Sequence, residues 1–369
     1  MRIGILTFHR ALNCGAMLQA WALKTVLERA GYEVGFISNH VGEVSRWYPL
    51  PKTGSFLGRG KGALLSLARN MGSFGCLDVA RERFGAFRKR WLPEIAAENC
   101  DAIVVGSDQV WRPELTGAEK SLFQGKSFPV GIPMLSYAAS VGDRKLGEGD
   151  LQELACGLNR FQNISVRETL IKNQVSKVYS GDVEVVADPT LLLGAEDYSA
   201  ISTVPKNSKP YLFAYAVHAT PFFVKTARTL AHRMGLDLVM TSTSQYTRWG
   251  APPGLTYAVS PDRMVGYIQN AECVVASSFH GTAISAIYGK PFVSLRESEN
   301  NARSRPGEFL ARIDDLGRLA TPSTTLETIE HFLSVPMGMS SQLKLTEFSK
   351  WSSAWLESNL QKCGTSARQ

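Results

Sequence analysis

The sequence predicts an α/β protein with two doubly wound, Rossmann-like parallel sheets facing a cleft, followed by a C-terminal helix. Three observations predict it. The chain opens on a β-loop-α-β series, which marks a parallel sheet with crossover helices. Ala102-Ile103-Val104-Val105 is a continuous apolar run bounded by Asp101 and Gly106, the pattern of a strand covered on both faces. A second α/β series begins after Pro210. At 369 residues the chain also exceeds the size at which one hydrophobic core keeps growing, so two domains are expected.

The elements follow in order. A strand is predicted at Ile3 to Thr7, then a helix from about Gly15 to Ala30 with Gly31 in the C′ position, then a strand from Glu33 to Ser38. Residues 41 to 75, rich in Gly, Pro, Ser and basic residues, form a long loop or partly helical insertion. Further strands are expected at Ala102 to Val105, Met134 to Ala139, Ile164 to Val166 and Val183 to Ala187, with a helix between about Gly147 and Phe161. Leu191 to Leu193 closes the first half.

Around Val204 to Pro210 the composition turns to Pro, Lys, Asn and Ser. The chain therefore divides into residues 1–203, 204–340 and a C-terminal helix and tail, 341–369. The second series comprises strands Tyr211 to Val217, Asp237 to Thr241, Cys273 to Ala276 and Phe292 to Leu295, with helices at Pro221 to Met234, Pro261 to Asn270 and His280 to Tyr288. The final helix, about Gln342 to Leu360, carries Leu345, Phe348, Trp351, Trp355 and Leu356 on one side. Its pattern suits packing on a domain, with peripheral membrane contact as the alternative.

Composition supports an ordinary globular protein, with 44% hydrophobic and 20% charged residues. The net charge of +7 is spread along the chain and weakly favours anionic partners. The most basic stretch, Arg81 to Arg90, carries Phe84 and Phe87 at helical spacing, so it is assigned to a solvated helix face and no nucleic-acid partner is expected. Six scattered cysteines show no metal-ligand spacing, and no metal is expected. A reducing cytoplasm is the simplest setting, since the N-terminus lacks a signal peptide's apolar core and no apolar run is long enough to span a bilayer.

In doubly wound proteins ligands bind beyond the carboxyl ends of the strands. Four loops place polar residues there. Asn13 and Gly15 follow the first strand, where Asn13 can cap a helix and Gly15 lets a ligand approach. Gly106-Ser107-Asp108-Gln109-Val110-Trp111 offers a carboxylate, an amide and an aromatic plate for a sugar ring, with Asp108 alternatively a helix cap. Arg167 ends a buried strand, either as an anion fork or as an ion-pair partner of Glu168 or another acid. Ser277, Ser278, Phe279, His280, Gly281 and Thr282 form a strand-to-helix turn whose histidine can donate a proton or hold an anion. Asn300, Asn301, Arg303 and Arg305 follow the next strand, either closing the anion site or forming a solvated loop.

Taken together, Asn13-Cys14-Gly15-Ala16-Met17-Leu18-Gln19-Ala20, Gly106 to Trp111, Ser136 to Ser140, Ser165 to Glu168, Asp188-Pro189-Thr190 and Ser277 to Pro291 resemble the polysaccharide pyruvyltransferase family, in its order and across most of the chain. The resemblance implies a glycosyltransferase-B-like pair of domains and transfer of a pyruvyl group from phosphoenolpyruvate, as co-substrate, to a sugar. A cyclic ketal forms across two hydroxyls and phosphate leaves; no cofactor is needed. It places the family's catalytic histidine on His280 and its phosphoenolpyruvate-binding arginine on Arg167, with Asp108 as a candidate base and Gln109 and Trp111 beside it. Some members carry an arginine two residues before the histidine. Here Ser278 stands there, so Arg303 or Arg305 is expected to complete the anion site. The acceptor is a polysaccharide sugar or its glycan precursor, lipid-linked in one version. A nucleotide-sugar glycosyltransferase and a non-catalytic carbohydrate-binding protein remain the alternatives.

Overall fold

The computed structural model describes residues 1–39, 78–206, 209–242, 255–256, 258–299 and 304–366. The predicted insertion at 41–75, together with Asn300, Asn301 and Arg303, lies outside the described residues. Strand β1 (Arg2–Leu6) is flanked by β2 (Glu33–Ile37) and β4 (Ala102–Val105), with Ile3 facing Val34 on one side and Ala102 on the other. With β3 (Glu94–Ile95), β5 (Met134–Ala139), β6 (Phe161–Val166) and β7 (Val183–Val185) they form a parallel sheet in the order β3-β2-β1-β4-β5-β6-β7. Strands β8 (Tyr211–Ala216), β9 (Asp237–Ser242), β10 (Cys273–Ala276), β11 (Phe292–Leu295) and β12 (Leu319–Ala320) form a second parallel sheet, β12-β11-β10-β8-β9. The strand order reverses between β1 and β4 in one sheet and between β8 and β10 in the other. Those switch points are where such sheets open crevices.

Every residue of β4, β5, β8, β10 and β11 is buried, as expected of predominantly apolar strands covered on both faces, with Ser136 in β5 and Ser294 in β11 the polar members. The first helix, Cys14–Arg29, is capped by the Asn13 carboxamide, which accepts from the Ala16 amide, and Gly31 follows it with a φ of +87°. Pro189–Leu192 is a 3-10 turn, because Asp188 caps it through Thr190 and Pro189 is suited to a first helical position. The basic segment lies on a helix, 78–91, with Phe84 and Phe87 buried and Arg81, Lys89 and Arg90 exposed.

The last helix, Met339–Ser366, crosses back to the first sheet. Ser352 accepts from the Ala187 amide at 2.9 Å, and the Trp355 ring lies 6.3 Å from that of Tyr137. Leu356 and Leu360 are buried beneath it, each contributing roughly 1.5–3 kcal/mol of apolar burial. Trp351 alone of the helix's two tryptophans is well exposed, at 46%. Among the described residues no helix is long and apolar enough to cross a membrane.

The loop after β1 is pinned from β3. Arg10 grips Glu94 through Nε and Nη2 at 2.7 Å each, and His9 Nε2 lies 3.1 Å from the same carboxylate. Arg10 chiefly, with His9 assisting against the cost of burial, draws the Glu94 carboxyl down to about 2 from an ordinary 4.5. A depressed carboxyl stabilises the fold above its unfolded value and loses that contribution as pH falls toward the folded one. Glu94→Gln is therefore expected to flatten the fall of Tm between about pH 4.5 and 2. Parallel melting curves of the variant and the parent would overturn this reading.

Candidate active site

The two switch points meet around one carboxylate. Asp188 leaves the segment after β7, fully buried, and gathers donors on both oxygens. Ser107 Oγ and Arg167 Nη1 donate to Oδ2 at 3.0 and 2.6 Å, while the Thr190 amide and hydroxyl donate to Oδ1 at 3.0 and 2.7 Å. His280 Nε2 stands 3.7 Å from Oδ2, an ion-pair distance. Burial alone would raise the Asp188 carboxyl, but His280, Arg167 and Thr190 outweigh it and hold the group far below the usual carboxylate range.

His280 sits in the first turn of the helix Phe279–Ile287 and is only 7% exposed. Ser278 caps that helix, accepting from the Gly281 amide at 2.9 Å, and Thr282 Oγ1 donates to the Ser278 carbonyl. Gly281 is bare because a Cβ there would stand 2.9 Å from both Ala276 and Tyr215. Ser277 Oγ accepts from the Val217 amide and thereby joins the ends of β8 and β10. On its other side the imidazole rests against Gly15, where a Cβ would fall 2.0 Å from His280 Nδ1. Gly15→Ala should therefore displace the ring while leaving the helix start intact. Since a misplacement of about 1 Å can cost roughly 100-fold in rate, activity should fall about that much with little change in Tm. Unchanged turnover in Gly15→Ala would separate His280's position from its role.

The surrounding charge is balanced. Arg167 is buried among three carboxylates: Glu168 at 2.8 Å, Asp188 at 2.6 Å and Asp108 at 3.7 Å. Burial opposes its charge, but those acids raise its pKa above the ordinary arginine value. Its guanidinium also lies 5.2 Å from the centre of the Phe279 ring. Glu168 is pushed up by burial despite Arg167, and its Oε2 has no hydrogen-bond partner. Arg305 opens the helix Arg305–Arg312 and places Nη1 3.9 Å from Asp108 Oδ1. Arg167, Asp188, Phe279 and Arg305 line a small pocket of about 20 Å³. Among the described residues no group of His, Cys, Asp and Glu is arranged to hold a metal ion.

Several expected ligands have other work. Trp111 is not a plate for a sugar: it is 3% exposed, donates Nε1–H to the Phe123 carbonyl and packs edge-on against Phe161. The carboxyl end of β4 turns it inward, where its large apolar surface is better buried than displayed. Gln109 is likewise buried and accepts from Arg112 Nη1 at 2.7 Å. Asn13 spends its carboxamide oxygen on the helix cap. Arg167 is in the first instance the ion-pair partner, joined by Asp188 as well as Glu168. The sequence motif around Gln19 also has a structural reason. Gln19 Nε2 donates to Thr7 Oγ1, Thr7 donates to the Ser107 carbonyl, and Ser107 reaches Asp188.

Asp188, Asp143 and Arg296 were not among the expected site residues, yet each touches this cluster or its rim. Asp188 and Arg296 both directly follow buried apolar stretches, the same signal that marked Arg167. Arg296 Nη1 donates to the Ser277 carbonyl at 3.0 Å, which brings a guanidinium beside Ser278.

The profile of the polysaccharide pyruvyl transferase family matches residues 13–299. The chain belongs to that family. No curated protein matches it in sequence. Among solved structures it is similar to UDP-GlcNAc 2-epimerase from Neisseria meningitidis bound to UDP-GlcNAc, at 12% identity and a TM-score of 0.51, covering 98% of this chain and 100% of that one. It is also similar to the glycosyltransferase SsfS6 of Streptomyces sp. SF2575, at 12% identity and a TM-score of 0.41, covering 96% of each chain. At such identities the epimerase likeness speaks for the fold alone. The chain has two parallel α/β sheets in the glycosyltransferase-B-like arrangement expected from the sequence. Family membership implies a sugar or polysaccharide acceptor.

Proposed function

We propose that this pyruvyl transferase moves the pyruvyl group of phosphoenolpyruvate onto two hydroxyls of a sugar in a polysaccharide or its glycan precursor, forming a cyclic ketal and releasing phosphate. The observation that carries this reading is His280, wedged between Gly15 and the Asp188 carboxylate, which itself lines a small pocket with Arg167 and Arg305. Phosphoenolpyruvate presents a carboxylate, a phosphate and an enol carbon that must gain a proton. An imidazolium beside a buried carboxylate can give that proton to the terminal methylene, which leaves C2 electrophilic. One sugar hydroxyl then forms a C2–O bond and loses its proton to a base, for which Asp108 is the candidate within reach of Arg167 and Arg305. The second hydroxyl forms the other C2–O bond as the C2–phosphate oxygen bond breaks, and phosphate departs with the electron pair and takes up the proton that this hydroxyl loses.

Asp188 faces the imidazole and fixes its orientation, while Ser107 and Thr190 hold Asp188 in place. Incubation with phosphoenolpyruvate and a panel of bacterial glycans should add about 70 Da to an acceptor, the size of a pyruvyl ketal, together with free phosphate. Phosphate release without a modified glycan, or glycan transfer from a nucleotide sugar instead, would overturn the proposal.

A further inference from the structure

The carboxyl ends of β8, β10 and β11 open into a second pocket of about 310 Å³, whose polar wall includes Asp143, His218, Thr220, Ser277, Arg296 and Arg305. It shares Phe279 and Arg305 with the smaller pocket beside Asp188, so the two adjoin. Within it Arg296 and Arg305 converge on a single carboxylate. Asp143, arriving from the other sheet on the loop after β5, has Oδ2 3.4 Å from Arg296 Nη2 and Oδ1 3.4 Å from Arg305 Nε. The backbone N–H of Arg305, in the first turn of its helix, donates to Oδ1 at 3.0 Å. Two guanidinium groups and a helix-start amide aimed at one pair of oxygens make the donor set of an anion site.

We propose that Arg296 and Arg305 form a subsite for the phosphate group of the donor, and that Asp143 is a displaceable internal counter-ion for it. The choice of phosphate rests on the pyruvyl-transfer reading above; the anion site itself rests on the geometry. Asp143 suits the role because it is a monoanion with two oxygens, whereas a phosphate carries about −1.5 to −2 charges and three acceptor oxygens for the same donors. Burial would raise the Asp143 carboxyl, but Arg305, Arg296 and Arg167 hold it below the ordinary range, so it stays charged. The three side chains keep 35%, 21% and 19% of their surface exposed, which leaves the site reachable by a small ion. Arg296 is anchored separately by the Ser277 carbonyl, so it stays in place when the carboxylate leaves. Arg305 also faces Asp108, which links the subsite to the reacting centre. Displacement breaks ion pairs between the two halves of the chain, which other contacts, the Thr169–Glu308 bond at 2.7 Å and the His280–Asp188 pair among them, continue to bridge.

The test is titration of the full chain with inorganic phosphate at low ionic strength, by calorimetry, with pyruvate as a carboxylate-only control. Asp143→Asn removes the competing charge and should tighten phosphate about tenfold, with a smaller effect on pyruvate. Arg296→Gln should weaken phosphate at least tenfold. Loss of folding cannot imitate the gain expected in Asp143→Asn. The inference is overturned if Asp143→Asn binds phosphate no tighter than the parent, if Arg296→Gln binds it equally well, or if pyruvate gains more than phosphate. A protein that shows the phosphate response but never turns over phosphoenolpyruvate would sink the pyruvyl reading alone. Turnover with an unchanged KM for phosphoenolpyruvate in Arg296→Gln would sink the subsite alone.

Discussion

Replacing His280 by Ala should lower phosphate release from phosphoenolpyruvate, measured with acceptor present, by a factor of about 10²–10⁴, the range for losing a positioned proton donor. The fold should survive. The imidazole Nε2 makes no hydrogen bond, and Asp188 keeps Ser107, Arg167 and Thr190 after the ring is gone. The lost terms are one ion pair and the contact with Phe279, whose ring centre lies 5.2 Å away. A Tm close to the parent's with turnover nearly abolished would place the effect on chemistry. Retained turnover would remove His280 as the donor and leave Glu168, the buried carboxyl with a raised pKa, as the group to examine.

Asp188→Ala should have the largest effect on stability, a loss of about 3–5 kcal/mol in urea unfolding, because it breaks a buried ion pair from one side only. Arg167 would keep Glu168 and the more distant Asp108 but lose its 2.6 Å partner, and the Ser107 and Thr190 hydroxyls would lose their acceptor. The sign with pH follows from the depressed carboxyl. Its contribution is full above the ordinary value of 3.8 and is lost only as acid drives pH below that toward the folded value. A loss under about 1 kcal/mol would mean that Arg167 is satisfied without Asp188, contrary to the expectation for a half-broken buried pair. Asp188→Asn, which retains shape and a carbonyl acceptor, should be milder in stability and still slow, since a neutral amide replaces the carboxylate that faces His280 at 3.7 Å.

Most of the architecture was legible in the chain because it depends on short-range patterning. Short apolar runs bounded by turn residues, such as Ala102–Val105 and Cys273–Ala276, read as strands covered on both faces, and Asn13 and Gly31 marked the ends of the helix that starts beside Gly15. Short elements escaped: β3 and β12 have two residues each, too few to show a period, and take their form from the neighbouring strand. The turn at Pro189–Leu192 carries no periodic signal of its own; the Asp188 cap decided its backbone.

The sequence by itself determined the two parallel sheets, the strand-to-helix turn that carries His280 and, through the ordered motifs, the family. Only the tertiary structure decided what those residues face. That Gly15 makes room for His280, that Asp188 joins Arg167 to it, that Trp111 turns into the core and that Asp143 reaches across to Arg296 and Arg305 are contacts between positions far apart in the chain. Periodicity and capping report the environment of a residue along its own element. A buried charge is instead settled by whichever opposite charge the fold brings within about 4 Å, and no spacing rule along the chain encodes that distance.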